Sequence, residues 1–530
     1  MARGPGMSSG CRTCRRRRVK CDERHPGCAR CERADYDCEG YTRDHRFIDE
    51  NAKTKRFAKK SKSKSKSPGT SGSASQSPAG MKDRSGSAIE GSSCAIVNLN
   101  LNLKPAFGLG LGAFEGDICT SFLLSHLLSG DTGFLPVPWM REHAEDTASV
   151  SAQTSIRALG ALYFGKLHRL KDIADRSHNF YGKALVALNS DLQQAEKAWS
   201  LSVVKSAMIL ELYEFIDYKS PSSWLTHAGG VAKLIQLRGP HLHQTFMDRY
   251  MLEGNRVTIA LECLISKKRC FLEHEDWKTI PYALDPGAKT SMNYLHDILC
   301  DVPGLVEDIA VLESISSSSL GVGSDADADG VCMRKVKQLQ LSLSQKVLAE
   351  LKMLYEWRAS WARENQGSWW EVPSACPKTR DLFPTVIHFK SLLVANGATI
   401  YNAILLLLRS IGYQVIGPTF DPAGVYLDIP TGIDYGVLYA PREAPDGAAI
   451  AREICRMVEY HLGEERKSAG GFFLLFPLSV AWRVFEEGRR EAEWVRGVMD
   501  RVADSSGFGI GRRVWADGGN DWFLRGALNC

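Results

Sequence analysis

Long apolar runs are scarce in this 530-residue chain. The strongest, AILLLL at 403–408 and FFLLFPLSVAW at 472–482, fall short of the roughly 20 residues that a bilayer-spanning helix needs, so both are expected to be core helices and no membrane is expected as a partner. The opening MARGPGMSSG holds no apolar signal region, which points to a reducing compartment and away from a disulfide framework. A phosphate-binding loop is missing too. Gly108, Gly110 and Gly112 lack the Lys-Ser/Thr ending and any strand-turn-helix context, and read as loop. In GVGSDADADG, Asp325, Asp327 and Asp329 open like a calcium loop. Its twelfth position is Val336 where a bidentate Glu is required, so a disordered acidic loop is expected. No nucleophile-base constellation stands out, and His227, beside Gly229 and Gly230, reads as a packed residue at a close helix crossing; an enzyme is not expected. Heptads are also wanting. Between 41 and 97 the only large aliphatic or Phe residues before Met81 are Phe47, Ile48 and Phe57, too few for a coiled coil, so the N-terminal module is expected to be monomeric. Dimerisation through the remainder stays open.

Charge is unevenly placed. The formal net charge is +5, yet residues 1–66 carry 20 Lys+Arg against 9 Asp+Glu, leaving 46 against 52 for the rest. A basic head on a mildly acidic body fits nucleic-acid binding through the head alone. Within that head, six cysteines fall in 28 residues as C-x2-C-x6-C-x6-C-x2-C-x6-C: Cys11, Cys14 and Cys21, then Cys28, Cys31 and Cys38 with identical spacing. Structural zinc takes four ligands, so one three-cysteine unit cannot complete a site. Two Zn²⁺ need eight ligand positions, and six thiolates fill them only if two bridge both metals. The repeat symmetry nominates Cys11 and Cys28. Arg15, Arg16, Arg17, Arg18 and Lys20 surround the thiolates with positive charge and favour deprotonated sulfur. A disulfide knot, one four-cysteine site with two spare thiols, and chance are the competing readings; C-x2-C twice at matched spacing favours zinc.

The stretch GCRTCRRRRVKCDERHPGCARCERADYDCEGY resembles the fungal binuclear zinc cluster (Zn(2)-C6 type) transcription regulators. The resemblance implies a nuclear, sequence-specific regulator of RNA polymerase II genes. Each half would be a short helix and an extended strand, the first helix entering the major groove of double-stranded DNA to read a CGG-type triplet. Arg17 and Arg18 stand in the place of the family's base-reading pair, with Arg18 where lysine is common, and Pro26 matches the connector proline. Arginine forks onto guanine where lysine acts as a point charge, so this departure bears on the contact. Independently, four successive arginines on a short helix cannot all face one groove floor. Arg15 and Lys20 are expected on phosphate, Arg17 and Arg18 on bases, and Arg16 is unassigned. The rival is an enzyme or scaffold protein with an appended zinc module.

Beyond the cluster, NAKTKRFAKKSKSKSKSP and a Ser/Gly-rich continuation read as a disordered basic linker. From Thr154 the apolar period is helical: Ile156, Leu159, Tyr163 and Leu167 share a face, as do Tyr181, Leu185, Leu188 and Leu192. The segment 198–216 is long enough to be largely buried. Ser222 or Ser223 suits an N-cap, and Gly239-Pro240 a stop, around a helix with Trp224, His227, Val231 and Leu234. YGKAL, WSLSVVKSAMILELYEF and WLTHAGGVAKLIQLRGP resemble the fungal-specific regulatory region that follows such clusters, implying an all-α domain that meets transcription machinery or co-regulators. The expected fold is mostly α: a binuclear zinc cluster at 8–41, the linker at 42–97 and an all-α regulatory domain at 98–530. The tail WADGGNDWFLRGAL reads either as a weak activation segment or as a packed helix.

Overall fold

The computed structural model describes residues 11–24, 27–38, 114–128, 137–319, 326–425, 432–485 and 488–512. They belong to two compact units, 1–101 and 102–530. The expected linker, the glycines at 108–112 and the C-terminal tail lie outside the described residues.

The first unit contains helices α1 (Arg12–Arg16) and α2 (Ala29–Glu32). Each ends in the left-handed region, at Arg18 (φ 54°) and Asp35 (φ 54°). Val19 N–H then reaches back to Cys14 O at 3.1 Å, and Tyr36 N–H to Cys31 O at 3.0 Å. These are Schellman-type ends, and a seventeen-residue offset relates them.

The second unit is almost entirely helical. Helices α3 (Glu115–His126), α4 (Val137–Glu145), α5 (Val150–Leu167) and α6 (Lys171–Leu192) are followed by α7 (Leu201–Asp217), α8 (Pro221–Arg238) and α9 (Phe246–Ser266). Next come α10 (Ser291–Ser319) and α11 (Ala326–Glu364), strands β1 (Trp369–Pro373) and β2 (Thr385–Phe389), then α12 (Leu392–Ile416), α13 (Gly447–His461), α14 (Lys467–Val484) and α15 (Arg490–Ser506). Short side chains cap several starts: Ser149 accepts from Ala152 N–H, Ser200 from Val203, Thr245 from Asp248, Ser391 from Val394 and Asp446 from Ala449.

Helix α5 buries Ile156, Leu159 and Tyr163 as its period predicts, with Leu167 half-buried. Its small residues let neighbours close in: a Cβ at Gly165 would stand 2.6 Å from the backbone nitrogen of Ala174 on α6. That approach sets which face of α6 is buried. The α6 core side is Ser177, Ala184 and Leu188, while Leu185 and Leu192 are 39% and 38% exposed, so the leucine face expected from the sequence is only partly the packed one. Helix α8 starts two or three residues earlier than expected, on Ser220 with Pro221 at its first position, because proline's fixed φ suits that site. Gly239 (φ 75°) ends it as anticipated. Gly229 and Gly230 mark no close crossing: a Cβ at the first would meet Glu262 only at 3.8 Å, and at the second nothing within 4 Å.

Three further differences, of type and of length, leave the fold mostly helical. Residues 326–330 of the acidic stretch begin α11 instead of forming a loop. The body is also not purely helical, since β1 pairs antiparallel with β2, Trp369 opposite Phe389 and Pro373 opposite Thr385. The aromatic and β-branched runs WWEV and TVIHF favour a pleated, half-buried ribbon. Helix α12 is long and apolar enough to cross a membrane, unlike the short run seen in sequence, because small and amide residues extend it at both ends. Its most apolar window is 89% buried inside the protein, as befits the central core helix.

Polar groups are also buried. Arg256, fully buried on α9, donates to Glu253 and Asp297, each at 2.7 Å, and to Trp277 O at 2.7 Å. Burial works against the Glu253 carboxylate, but Arg256 and His296 hold it down to about 2.

Candidate metal centre and nucleic-acid interface

The six cysteines of the first unit converge. Sγ atoms of Cys11, Cys14, Cys21 and Cys28 lie within 4.8 Å of one another, and so do those of Cys11, Cys28, Cys31 and Cys38. The two groups share Cys11 and Cys28. Cys11 to Cys28 and Cys14 to Cys28 are 3.6 Å apart, and Cys11 to Cys31 is 3.8 Å. Sulfurs held 2.3 Å from one tetrahedral ion stand roughly 3.8 Å apart, so these separations fit zinc, and all six thiols are unbridged by disulfides.

Local structure follows the repeat. Cys11 Sγ accepts from Cys14 N–H and Cys28 Sγ from Cys31 N–H, each at 3.3 Å, as the residue preceding its helix. Cys21 Sγ accepts from Cys11 N–H and Cys38 Sγ from Cys28 N–H, each at 3.4 Å. Backbone N–H groups aimed at sulfur orient thiolates and stabilise their charge. Burial pushes the Cys11 thiol up to about 12 and those of Cys14 and Cys28 in the same direction, and a cation bound among them would favour the thiolates.

Asp22, Thr13 and Tyr36, outside the cysteine pattern, complete the module, and the sequence reading passed over them. Asp22 caps α2, its carboxylate accepting from Ala29 N–H at 3.1 Å and Arg30 N–H at 3.4 Å. Buried Thr13 ties the halves by donating to Asp37 O at 3.0 Å. The Arg17 guanidinium lies 3.7 Å over the Tyr36 ring. Only Asp22 carried a cue, as a capping residue type in the connector.

The basic side chains stand outside the sulfur core. Arg17, Arg18 and Lys20 are exposed, with Arg18 at the left-handed end of α1. The Arg15 side chain, and Pro26, lie outside the described residues. Stacking on Tyr36 engages the face of the Arg17 guanidinium, not its in-plane N–H groups.

In the body, His227 Nε2 is 2.7 Å from Tyr181 Oη, which donates to Glu214 at 2.6 Å. That is a packed polar trio with no serine, threonine or cysteine nucleophile within it. Of the remaining cysteines, Cys119, Cys263, Cys270, Cys300 and Cys455 are buried and Cys376 half-buried.

Comparison with known proteins places this geometry. The model of the fungal Zn(2)-Cys(6) binuclear cluster domain matches residues 9–46. An uncharacterized protein of Emericella nidulans is 29% identical over 194 residues, covering 34% of this chain and 42% of that protein. White-opaque regulator 2 of Candida albicans is 61% identical over 33 residues, 6% of this chain and 7% of its own. Arginine metabolism regulation protein II of Saccharomyces cerevisiae is 61% identical over 33 residues, 6% and 4% of the two chains. The chain thus spans less than half the length of each of these relatives, and no solved structure matches. A Zn(2)-Cys(6) domain binds two zinc ions, and the converged sulfurs fit them. The N-terminal module is thus a fungal Zn(2)-Cys(6) binuclear cluster domain.

Proposed function

We propose that this protein is a nuclear, sequence-specific DNA-binding transcription regulator of RNA polymerase II genes, and not an enzyme. The observation that carries the reading is the pair of overlapping four-sulfur groups beside the exposed basic end of α1. In this reading Cys11, Cys14, Cys21, Cys28, Cys31 and Cys38 are the ligands, with Cys11 and Cys28 bridging. Two Zn²⁺ and six thiolates carry a net charge of −2, which the arginines offset. Bound zinc supplies most of the folding free energy of so small a module and thereby fixes α1. Arg17 and Arg18 take base edges of a CGG-type triplet in the major groove, and Arg15 and Lys20 take phosphates. The proposed organisation is a cluster domain at 8–41, a basic linker at 42–97 and a helical regulatory domain at 98–530 that engages transcription machinery or co-regulators. The N-terminal module acts as a monomer on one triplet.

Selection of bound duplexes from a random pool by the purified, zinc-loaded full-length protein tests this. Enrichment of one CGG-type triplet is expected; recovery of unenriched sequence would overturn the proposal.

A further inference from the structure

A cavity of about 310 Å³ opens in the helical body between α11, α12 and the turns at 420–423 and 439–445. That volume is in the range of small-molecule sites. One wall is a straight stripe of α12, where Tyr401, Leu405, Arg409 and Tyr413 recur every fourth residue and so share a face. Tyr355 of α11 and Arg442 of the 439–445 turn stand on other sides.

Arg409 is the anomaly. It is the single charged residue of this core helix and is only 6% exposed. Its guanidinium donates to Ala444 O at 3.2 Å, and no ion pair joins it to a carboxylate among the described residues. A buried cation without a paired carboxylate is costly, and a ligand of opposite charge would offset that cost. The planar fork of arginine matches a carboxylate in shape as well as charge. Tyr401, 2% exposed, adds a hydroxyl that makes no hydrogen bond among the described residues, whereas Tyr355 Oη is held by Pro422 O at 3.1 Å. The rim carries an independent mark: Arg442 is a non-glycine residue at φ 75°, a sparsely populated backbone state of the kind that clusters at ligand clamps. Two carboxylates, Asp421 and Glu443, share the lining, with Asp421 turned onto Ala423 N–H at 2.9 Å. A ligand with a hydrogen-bond donor besides its carboxylate suits that lining.

We propose that this cavity binds a small organic carboxylate, its anionic group forked by Arg409 and its body lying against Tyr355, Tyr401 and Tyr413. Occupancy joins α11, α12 and the 439–445 turn through one molecule. Tyr439 in that turn already accepts from Arg358 at 3.3 Å and donates to Glu453 at 2.7 Å, so the site reaches into the buried polar groups of α11 and α13.

The proposal stands apart from the DNA-binding reading, and its assay contains no DNA. Thermal melting of the full-length protein is followed against benzoate, 4-hydroxybenzoate and 3-phenylpropionate, each beside its carboxamide and beside inorganic phosphate at equal ionic strength. At least one acid is expected to raise the melting temperature saturably while its amide does not. Arg409→Gln should abolish the response, and Tyr401→Phe should weaken apparent affinity about fivefold, the scale of one hydrogen bond. Should Arg409→Gln fail to fold, Arg409→Lys keeps the charge, loses the fork and is expected to respond less. The proposal is overturned if no acid shifts the melt, if acid and amide act alike, if phosphate acts as well as the acids, or if the Arg409 variant that folds responds like the wild type.

Discussion

At the residue scale, the exposed basic side chains that follow α1, Arg18 and Lys20, divide by what they would touch. Arg18→Ala is expected to cost about 1–3 kcal/mol on the preferred duplex and to relax base preference there. Lys20→Ala should weaken all sequences alike and lower the salt slope by about one unit. Binding isotherms on specific and random duplexes across a salt series distinguish them; equal losses on both duplexes for both variants would remove Arg18 from base reading. A different residue governs how the body responds to pH. Burial raises the Glu211 carboxyl from its ordinary 4.5 to about 8, against a hydrogen bond with Thr258, and its Oε1 has no hydrogen-bond partner. A raised carboxyl contributes stability that is fully present below the unfolded value and is lost as pH rises toward the folded one. Stability should therefore fall between about pH 4.5 and 8, at up to about 1.4 kcal/mol per pH unit from this group. Glu350, also raised to about 8, adds in the same direction. Glu211→Gln should flatten the slope without abolishing it, so its advantage over the wild type grows from pH 5 to pH 8; a constant difference across that range would exclude Glu211 as a source.

At the scale of elements, the tightest test is the α5–α6 pair. A Cβ at Gly165 meets Ala174 backbone, which cannot rotate away as a side chain would, so Gly165→Ala should destabilise the body by about 1–3 kcal/mol. Denaturant unfolding measures it, and an unchanged midpoint would show that the helices can separate freely. The same pair shows where sequence reading holds and where it stops. The core face of α5 was legible because burial follows its apolar period, and α7 and the middle of α12 because their apolar runs are buried, although polar residues of both helices are buried with them. The packed side of α6 was not, since close approach of small residues outweighed its leucines, and that depends on the partner helix. The start of α8 was misplaced by two or three residues because a serine run offers several caps and Pro221 decides among them. In the first unit the zinc-binding module was legible, since all six cysteines lie in one short repeated stretch. The carboxylate cavity had no such signal: it joins Tyr355, Arg409 and Arg442 across three separate segments, and only the lone arginine after AILLLL hinted at it.

At the scale of the whole molecule, charge and chemistry are separated along the chain. The basic, metal-held head has too few apolar side chains to fold on hydrophobic burial, and the mildly acidic body contains the extensive helical core. Two metals sharing Cys11 and Cys28 use all six thiols, whereas a single-metal module would leave two of them idle. Zinc per chain in the purified full-length protein, wild type against Cys28→Ser, is the most direct check. If Cys28 serves both ions, the variant should lose two zinc ions relative to the wild type and with them DNA binding; loss of a single zinc, with the second retained, would contradict it.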